Sequence, residues 1–338
     1  MTVLPAAATV DERVPVHVLT GFLGSGKTTF LKHLLGEPGL ADTAVVINEF
    51  GEVGLDHLLV REVSEDVVLL SSGCLCCAVR DDLVSTLAEL ASLAGTGRMP
   101  AFNRVVVETT GLADPAPIMH AVMSDLRLCR AYQAGSIVTT IDGVSGARSI
   151  GDFSEAVQQV ALADCVVVTK SDLVEPWSLD ALDLEIARIN PSVRRLTSSM
   201  ERFPPSDAIF AHDDDDWQPH FLSQDQDQDQ GPASGRHSDG IDTFSVTLDR
   251  PVQWPAFVEW LELLLASRGQ SILRVKGLLP VIGDARPVVI HGVQNVVYPP
   301  QYLPRWPEDT PRGWLVFIAR DLTRSAVEAS LKSVFTET

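Results

Sequence analysis

The chain has 338 residues, 45% of them apolar, so it is long enough for two domains that each bury a core. Acidic residues outnumber basic residues by 45 to 26, which gives a formal net charge of −19 at pH 7. Such a surface repels nucleic acids and anionic lipids, and no segment resembles a leader or a membrane span. We therefore expect a cytoplasmic protein with neither nucleic-acid nor membrane partners.

The first motif lies just after a predicted mobile N-terminus (1–13). An apolar strand predicted over 14–19 runs into Gly-Phe-Leu-Gly-Ser-Gly-Lys-Thr, the complete G-x-x-x-x-G-K-T pattern, and a helix follows. Glycines in such a loop let successive backbone N–H groups face a polyphosphate. Lys27 is expected to reach the β- and γ-phosphates, and the Thr28 hydroxyl to bind Mg²⁺. The predicted nucleotide contacts are Gly21, Gly24, Ser25, Gly26, Lys27, Thr28 and Thr29.

The second predicted strand (44–48) ends in an acidic segment, Asn-Glu-Phe-Gly-Glu-Val-Gly-Leu-Asp at 48–56. A first switch of a nucleotide-binding domain would lie at this position. Its carboxylates are candidate ligands of Mg²⁺ or of a second metal. We assign Glu49 to Mg²⁺.

Three cysteines, Cys74, Cys76 and Cys77, crowd into four positions after the third predicted strand (67–70). Neighbouring cysteines have no room for an unstrained disulfide, whereas thiolates suit Zn²⁺, Co²⁺ or Cu⁺ and leave an open coordination position. The chain has five cysteines, an odd number that suits reduced thiols. The triplet therefore predicts a transition-metal site, and the cysteines at 129 and 165 are expected to pack in the core.

Apolar strands and helices alternate through the rest of this half. Strands are predicted over 104–108, 136–141 and 165–169, and helices over 81–93, 116–123, 155–161 and 179–189. Continuous Val/Ile-rich strands between helices indicate a buried, mostly parallel sheet in an α/β domain. The strand at 104–108 ends in Glu108, which could hold Mg²⁺ through water, and Gly111 could turn its N–H toward the γ-phosphate. With Lys27, these residues are the predicted catalytic groups.

Thr-Lys-Ser-Asp at 169–172 closes an apolar strand and resembles the guanine-reading Asn/Thr-Lys-x-Asp motif of GTPases. The Asp172 carboxylate can accept two hydrogen bonds that guanine offers and adenine does not. The aliphatic stem of Lys170 can lie along the base. Thr169, Lys170 and Asp172 are therefore predicted to select GTP over ATP.

The composition changes at about residue 204, where Asp, Gln, Ser, Pro and Gly begin to dominate. Such an acidic tract predicts a solvated linker, with a weak cation-collecting arm as the alternative. Apolar patterning returns with strands predicted over 244–248, 272–281, 288–290, 293–298 and 314–319, and helices over 255–266 and 322–334. This mixture indicates a small α+β domain. The predicted domains are a P-loop domain (14–203), the linker (204–240) and a C-terminal domain (241–338).

The order of these motifs, Gly-Phe-Leu-Gly-Ser-Gly-Lys-Thr-Thr, Asn-Glu-Phe-Gly, Gly-Cys-Leu-Cys-Cys, Glu-Thr-Thr-Gly and Thr-Lys-Ser-Asp, resembles that of the CobW-like P-loop GTPases. Leu-Arg-Val-Lys-Gly at 273–277 resembles the C-terminal domain of that family. The resemblance implies a metallochaperone or metal-centre activator that hydrolyses GTP to GDP and phosphate with Mg²⁺. It also implies that Glu52 of the first switch joins the cysteines in binding Zn²⁺, Co²⁺ or Fe.

The GTP state would then control the delivery of this metal to a client metalloprotein or metal-cofactor enzyme. Two other interpretations stay open. One is a small-molecule kinase with structural cysteines, and the other is a zinc-binding adaptor protein. Whether the chain forms a homodimer is also left open.

Overall fold

The computed structural model describes residues 13–40, 42–47, 69–71, 79–210, 240–307 and 312–335. The described residues divide into two compact units. The first contains those from 13 to 187 and from 193 to 210, and the second contains 188–192 and those from 240 to 335. The predicted mobile N-terminus, apart from Arg13, lies outside the described residues, as do 211–239 of the predicted linker.

The first unit is built on a parallel sheet. Its described strands are β1 (Val14–Gly21), β2 (Thr43–Ile47), β3 (Leu69–Ser71), β4 (Arg104–Glu108), β5 (Tyr132–Asp142), β6 (Cys165–Thr169) and β7 (Arg194–Thr197). They are arranged in the order β3-β2-β4-β1-β5-β6-β7, and all of these pairings are parallel. Every residue of β2 and β6 is buried, as expected for inner strands covered on both faces.

Helices follow most of these strands: α1 (Lys27–Leu35), α2 (Val79–Gly95), α3 (Ala116–Ser124), α4 (Gly146–Asp152), α5 (Ser154–Leu162), α6 (Pro176–Ile189) and α7 (Ser206–Phe210). Short 3₁₀ turns occur at Pro38–Leu40 and Ser171–Leu173. One core cluster joins Phe30 and Leu31 of α1 to Val106 of β4 and Val138 of β5. The predicted α/β fold with a mostly parallel sheet is confirmed.

Three described elements of this unit were not predicted. The helix α4 contains two glycines, which lower helix propensity, and β7 is a half-buried edge strand that begins with two arginines. The helix α7 lies inside the stretch that composition assigned to the linker from residue 204. Its Ile209 and Phe210 are buried in the core cluster, and the Phe210 ring lies 4.4 Å from that of His17. These two apolar residues keep the chain on the first unit up to the acidic tract.

The second unit contains an antiparallel sheet of β8 (Ile241–Leu248), β9 (Ile272–Leu279), β10 (Val288–Val293), β11 (Val296–Val297), β12 (Gln301–Tyr302) and β13 (Gly313–Arg320). Their order is β11-β10-β9-β13-β8, with β12 beside β10. The two helices α8 (Trp254–Arg268) and α9 (Arg324–Phe335) share its core cluster. The predicted α+β architecture is confirmed.

No helix in the described parts of either unit has the length and apolar character needed to cross a membrane.

Two strands of the second unit depart from the prediction: β12 was not predicted, and the strand predicted over 293–298 is shorter. Instead of a new strand over 293–298, β10 continues to Val293 and turns into β11, with Val293 opposite Val296. Gln294 adopts a positive φ of 49° at this turn. Positive φ is rare for a residue other than glycine, asparagine or aspartate, which is why the sequence did not indicate a turn here.

Candidate functional site

The predicted nucleotide-binding segments meet at one edge of the parallel sheet. The strand β1 lies between β4 and β5, and β6 is the next strand beyond β5. Because parallel strands all end at the same edge, the loops that follow these four strands are neighbours. The edge therefore brings together the phosphate loop (21–28), the turn after Glu108, the end of β5 and the Thr-Lys-Ser-Asp segment.

The phosphate loop is fixed by hydrogen bonds from the two strands beyond β1. The hydroxyls of Ser25 and Thr140 are 2.7 Å apart, and the Thr169 hydroxyl donates to the Ser25 carbonyl over 2.8 Å. Gly26, with φ of 84°, occupies the left-handed conformation that favours glycine and directly precedes α1. A Cβ atom at Gly21 would collide with Thr140. The sequence pattern therefore reflects both backbone conformation and close packing.

Lys27 is the first residue of α1. Its Nζ donates to the carbonyl oxygens of Gly21 and Phe22, at 2.8 and 3.3 Å, so the ammonium group lies over the loop. A helix N-terminus and a lysine together create positive potential suited to phosphate. Thr29, in the same first turn, is exposed.

Thr28 and Glu108 bring together two oxygen atoms from motifs that lie 80 positions apart in the sequence. The Thr28 hydroxyl donates to Glu108 Oε1 over 2.6 Å, and Glu108 is only 4% exposed at the end of β4. Hydroxyl and carboxylate oxygens are hard ligands of the kind that Mg²⁺ prefers. The chemistry of this pair therefore fits the predicted magnesium site.

The turn after Glu108 lies directly on the phosphate loop. A Cβ atom at Gly111 would stand 2.8 Å from the Leu23 backbone nitrogen, so only glycine allows this approach. Asp114 accepts a hydrogen bond from the backbone N–H of Ala116, where α3 begins. We call residues 109–114 the sensor turn, because Gly111 is predicted to contact the γ-phosphate.

The Thr-Lys-Ser-Asp segment also contacts the phosphate loop. Lys170 has a φ of 53°, and its Nζ donates to the Gly24 carbonyl over 3.0 Å and to Asp142 Oδ2 over 2.7 Å. Burial opposes ionisation of Asp142, but hydrogen bonds from Lys170, the Val144 N–H and the Ser145 hydroxyl lower its pKa below the usual value. Asp172 lies in the following 3₁₀ turn and is exposed.

Two parts of this site were missed in the sequence. Asp142 ends the apolar strand β5 in the way that Glu108 ends β4, so the signal was present. The second is the loop after β7: the Ser198 carbonyl accepts hydrogen bonds from the N–H and the hydroxyl of Ser171, at 3.2 and 3.0 Å. This loop therefore borders the predicted guanine-reading segment. It was missed because the strand that leads to it has no continuous apolar run.

The predicted transition-metal ligands are Glu52, Cys74, Cys76 and Cys77, and all four lie outside the described residues. The predicted magnesium ligand Glu49 also lies outside them. Within the described ranges, no group of three or more His, Cys, Asp or Glu side chains is arranged to hold a metal ion. Cys165 is buried and Cys129 is half-buried, and neither is in a disulfide bond.

Residues 15–197 match the model of the CobW/HypB/UreG nucleotide-binding domain, and residues 241–335 match that of the cobalamin synthesis protein CobW C-terminal domain. The zinc chaperone YjiA of Escherichia coli (strain K12) is 30% identical over 325 residues, which cover 94% of this chain and 97% of that protein. The zinc chaperone CobW of Pseudomonas aeruginosa is 27% identical, with 95% and 91% coverage. The crystal structure of Zn(II)-bound YjiA GTPase from E. coli has a TM-score of 0.69 at 26% identity and covers 95% of this chain and 99% of that chain.

Proposed function

The chain belongs to the CobW/HypB/UreG family of P-loop GTPases, and we propose that it is a metallochaperone in which the GTP state controls the capture and release of a transition metal. The observation that carries the nucleotide half of this proposal is the contact of the sensor turn and of Lys170 with one phosphate loop. A nucleotide bound there would touch segments that come from four strands. Such a site can change shape when the γ-phosphate leaves.

Catalysis in this proposal is mainly electrostatic. Lys27 and the amides at the start of α1 stabilise the phosphates, and the Gly111 N–H faces the γ-phosphate. Thr28 and Glu108 would hold Mg²⁺, which when bound neutralises charge on the phosphate oxygens. Because this arrangement positions and stabilises without a covalent step, we expect a slow intrinsic rate that a client raises.

Guanine selection is assigned to Thr169, Lys170 and Asp172. The exposed Asp172 carboxylate is free to meet the base edge, while Lys170 is held beside the loop by Asp142. Competition of labelled GTP with unlabelled GTP and ATP tests this assignment. Equal displacement by ATP would contradict it.

The cargo is assigned to Cys74, Cys76 and Cys77 as thiolates, joined by Glu52. Zn²⁺ is the leading candidate because the relatives named above are zinc chaperones, with Co²⁺ and Fe²⁺ to be compared in the same assay. The proposed recipient is a client metalloprotein or metal-cofactor enzyme. We place the protein in the cytoplasm because thiolate ligands must stay reduced. A homodimer is tested by measuring molecular mass in each nucleotide state.

The experiment that tests the whole proposal is a metal competition titration of the full chain in three states: without nucleotide, with GDP, and with Mg²⁺ and a non-hydrolysable GTP analogue. Metal affinity should be highest with the analogue, commonly about 5- to 150-fold for coupled sites, and metal should tighten the analogue by the same factor. Glu52→Ala should weaken this coupling more than it weakens GTP binding. Three equal metal affinities would remove the metallochaperone mechanism and leave a GTPase with a structural metal.

A further inference from the structure

Gln159 of α5 is almost fully buried, with 1% of its surface exposed, and lies against the sensor turn. Its amide nitrogen Nε2 donates to the carbonyl oxygens of Gly111 and Ala113, at 3.2 and 3.1 Å. Both partners can only accept, so the NH₂ end of the side chain must face the turn. One side chain therefore holds two peptide groups of the turn.

The helix that carries Gln159 is itself anchored. The backbone carbonyl of Gln159 accepts a hydrogen bond from the Thr139 hydroxyl of β5 over 2.9 Å. One residue earlier, Gln158 Nε2 donates to Asp114 Oδ2 over 2.7 Å. Just before the helix, the Phe153 ring stacks on Phe22 of the phosphate loop with centroids 4.6 Å apart. The segment thus contacts the phosphate loop through Phe153, just before α5, and the sensor turn through Gln158 and Gln159 within the helix.

We propose that Gln159 is a positioning residue for the GTPase reaction. By holding the Gly111 and Ala113 carbonyls, it fixes the backbone of the sensor turn against Leu23, so that the turn is arranged for a γ-phosphate before the nucleotide binds. The inference rests on the proposed role of Gly111 as the γ-phosphate contact. GDP has no γ-phosphate, so Gln159 contributes to binding of the triphosphate and to hydrolysis, and little to binding of GDP.

The first test replaces Gln159 with Met, which has a similar length and cannot donate a hydrogen bond. Two carbonyls then lose their donor, so affinity for the Mg²⁺-bound GTP analogue should fall by about fivefold or more. The rate constant kcat should fall with it, while GDP affinity stays within about twofold.

Gln133→Met is the matched control, because Gln133 Nε2 also donates to a backbone carbonyl, that of Arg13, over 2.8 Å. It should change neither affinity. Equal losses of GDP and analogue binding in Gln159→Met would show a merely structural role, and no change in either would overturn the inference outright. If the unmodified protein hydrolyses GTP and Gln159→Met behaves like the control, only this inference fails and the proposed function stands.

Gln159→Glu keeps the side-chain shape and supplies the test if the Met variant does not fold. A protonated carboxyl group can donate one hydrogen bond to the turn, whereas an ionised one can donate none and repels both carbonyls. The measured quantity is the ratio of analogue affinity to GDP affinity in the variant, divided by the same ratio in the unmodified protein. It should therefore decrease as pH rises. The same ratio should stay constant in Gln133→Glu. A constant ratio in both variants would overturn the inference.

Discussion

Lys170 and Asp142 form an ion pair, with 2.7 Å between Nζ and Oδ2, and the same ammonium group donates to the Gly24 carbonyl of the phosphate loop. The predicted guanine-reading segment is thereby tied to the phosphate loop. Asp142→Asn keeps the side-chain shape but removes the charge that holds Lys170. We expect the affinities for GTP and GDP to fall together, by roughly threefold to thirtyfold, because the change acts on the shared base and loop contacts. Fluorescent-nucleotide titration measures both.

Asp183→Asn is the control for that variant, since Asp183 forms a comparable ion pair with Arg195 at 2.8 Å on a more exposed part of the same unit. Exposed ion pairs contribute little to stability, so this control should stay folded and bind nucleotide normally. If Asp142→Asn binds GTP as the control does, the ion pair has no role in nucleotide binding.

The pKa of Asp142 predicts a pH dependence of stability. Burial opposes ionisation, but the hydrogen bonds from Lys170 and its neighbours lower the pKa below the usual 3.8. A carboxyl group with a lowered pKa in the folded state contributes stability above its unfolded pKa, and this contribution is lost as pH falls through the folded pKa. Unfolding followed from pH 7 to pH 3 should therefore show a gap between the unmodified protein and Asp142→Asn that is constant above about pH 5 and closes below about pH 4. A gap that persists at low pH would contradict the assignment.

Lys27→Ala should abolish tight nucleotide binding. Loss of a charged donor to phosphate costs about 1.5–3 kcal/mol, or roughly 10- to 150-fold in affinity, before any loss of long-range attraction. Circular dichroism should show an unchanged fold. Lys32→Ala, in the last turn of the same helix, is the control and should bind normally. Full affinity in Lys27→Ala would mean that the loop does not bind phosphate.

Glu108→Gln should raise the Mg²⁺ concentration that GTP hydrolysis requires. The amide oxygen can still accept the Thr28 hydroxyl, so the local structure is preserved, but the buried negative charge is gone. Half-maximal GTP hydrolysis should need at least about tenfold more Mg²⁺, with GDP binding in the absence of Mg²⁺ unchanged. Thr28→Ser keeps the hydroxyl and should behave almost normally. An unchanged Mg²⁺ titration would remove Glu108 from the magnesium site.

The cysteine triplet should give a sulfur-to-metal charge-transfer band on titration with Co²⁺, and the band should be lost when Cys74, Cys76 and Cys77 are all changed to Ser. Because ligation releases thiol protons, apparent affinity should rise with pH toward the thiol pKa of about 8.5. Cys129→Ser is the control. A band that survives the triple change would place the metal elsewhere. Deleting 212–239 removes the acidic tract and spares α7, and it should leave the affinity of the cysteine site for Co²⁺ unchanged.

Prediction from sequence succeeded where the pattern is local. The strands β4 and β6 were predicted to the residue because each is a short apolar run that ends in an acid or a threonine. The phosphate loop is similarly contained in eight consecutive residues. Partnerships across the sheet could not be predicted in this way: nothing near Asp142 in the sequence indicates Lys170, and nothing near Gln159 indicates Gly111 or Ala113. Such pairs arise only from the order of the strands.

The hydrogen bonds that hold the phosphate loop span long stretches of chain. Ser25 is separated from Thr140 by 115 positions and from Thr169 by 144. Contacts of such high sequence separation form late and slowly, since loop-closure entropy must be overcome first. During synthesis, the complete phosphate-binding motif therefore leaves the ribosome long before the strands that fix its conformation. We expect that the nascent chain cannot bind GTP until β6 has emerged. Nucleotide then stabilises the finished unit as a whole, by an amount set by its concentration relative to Kd.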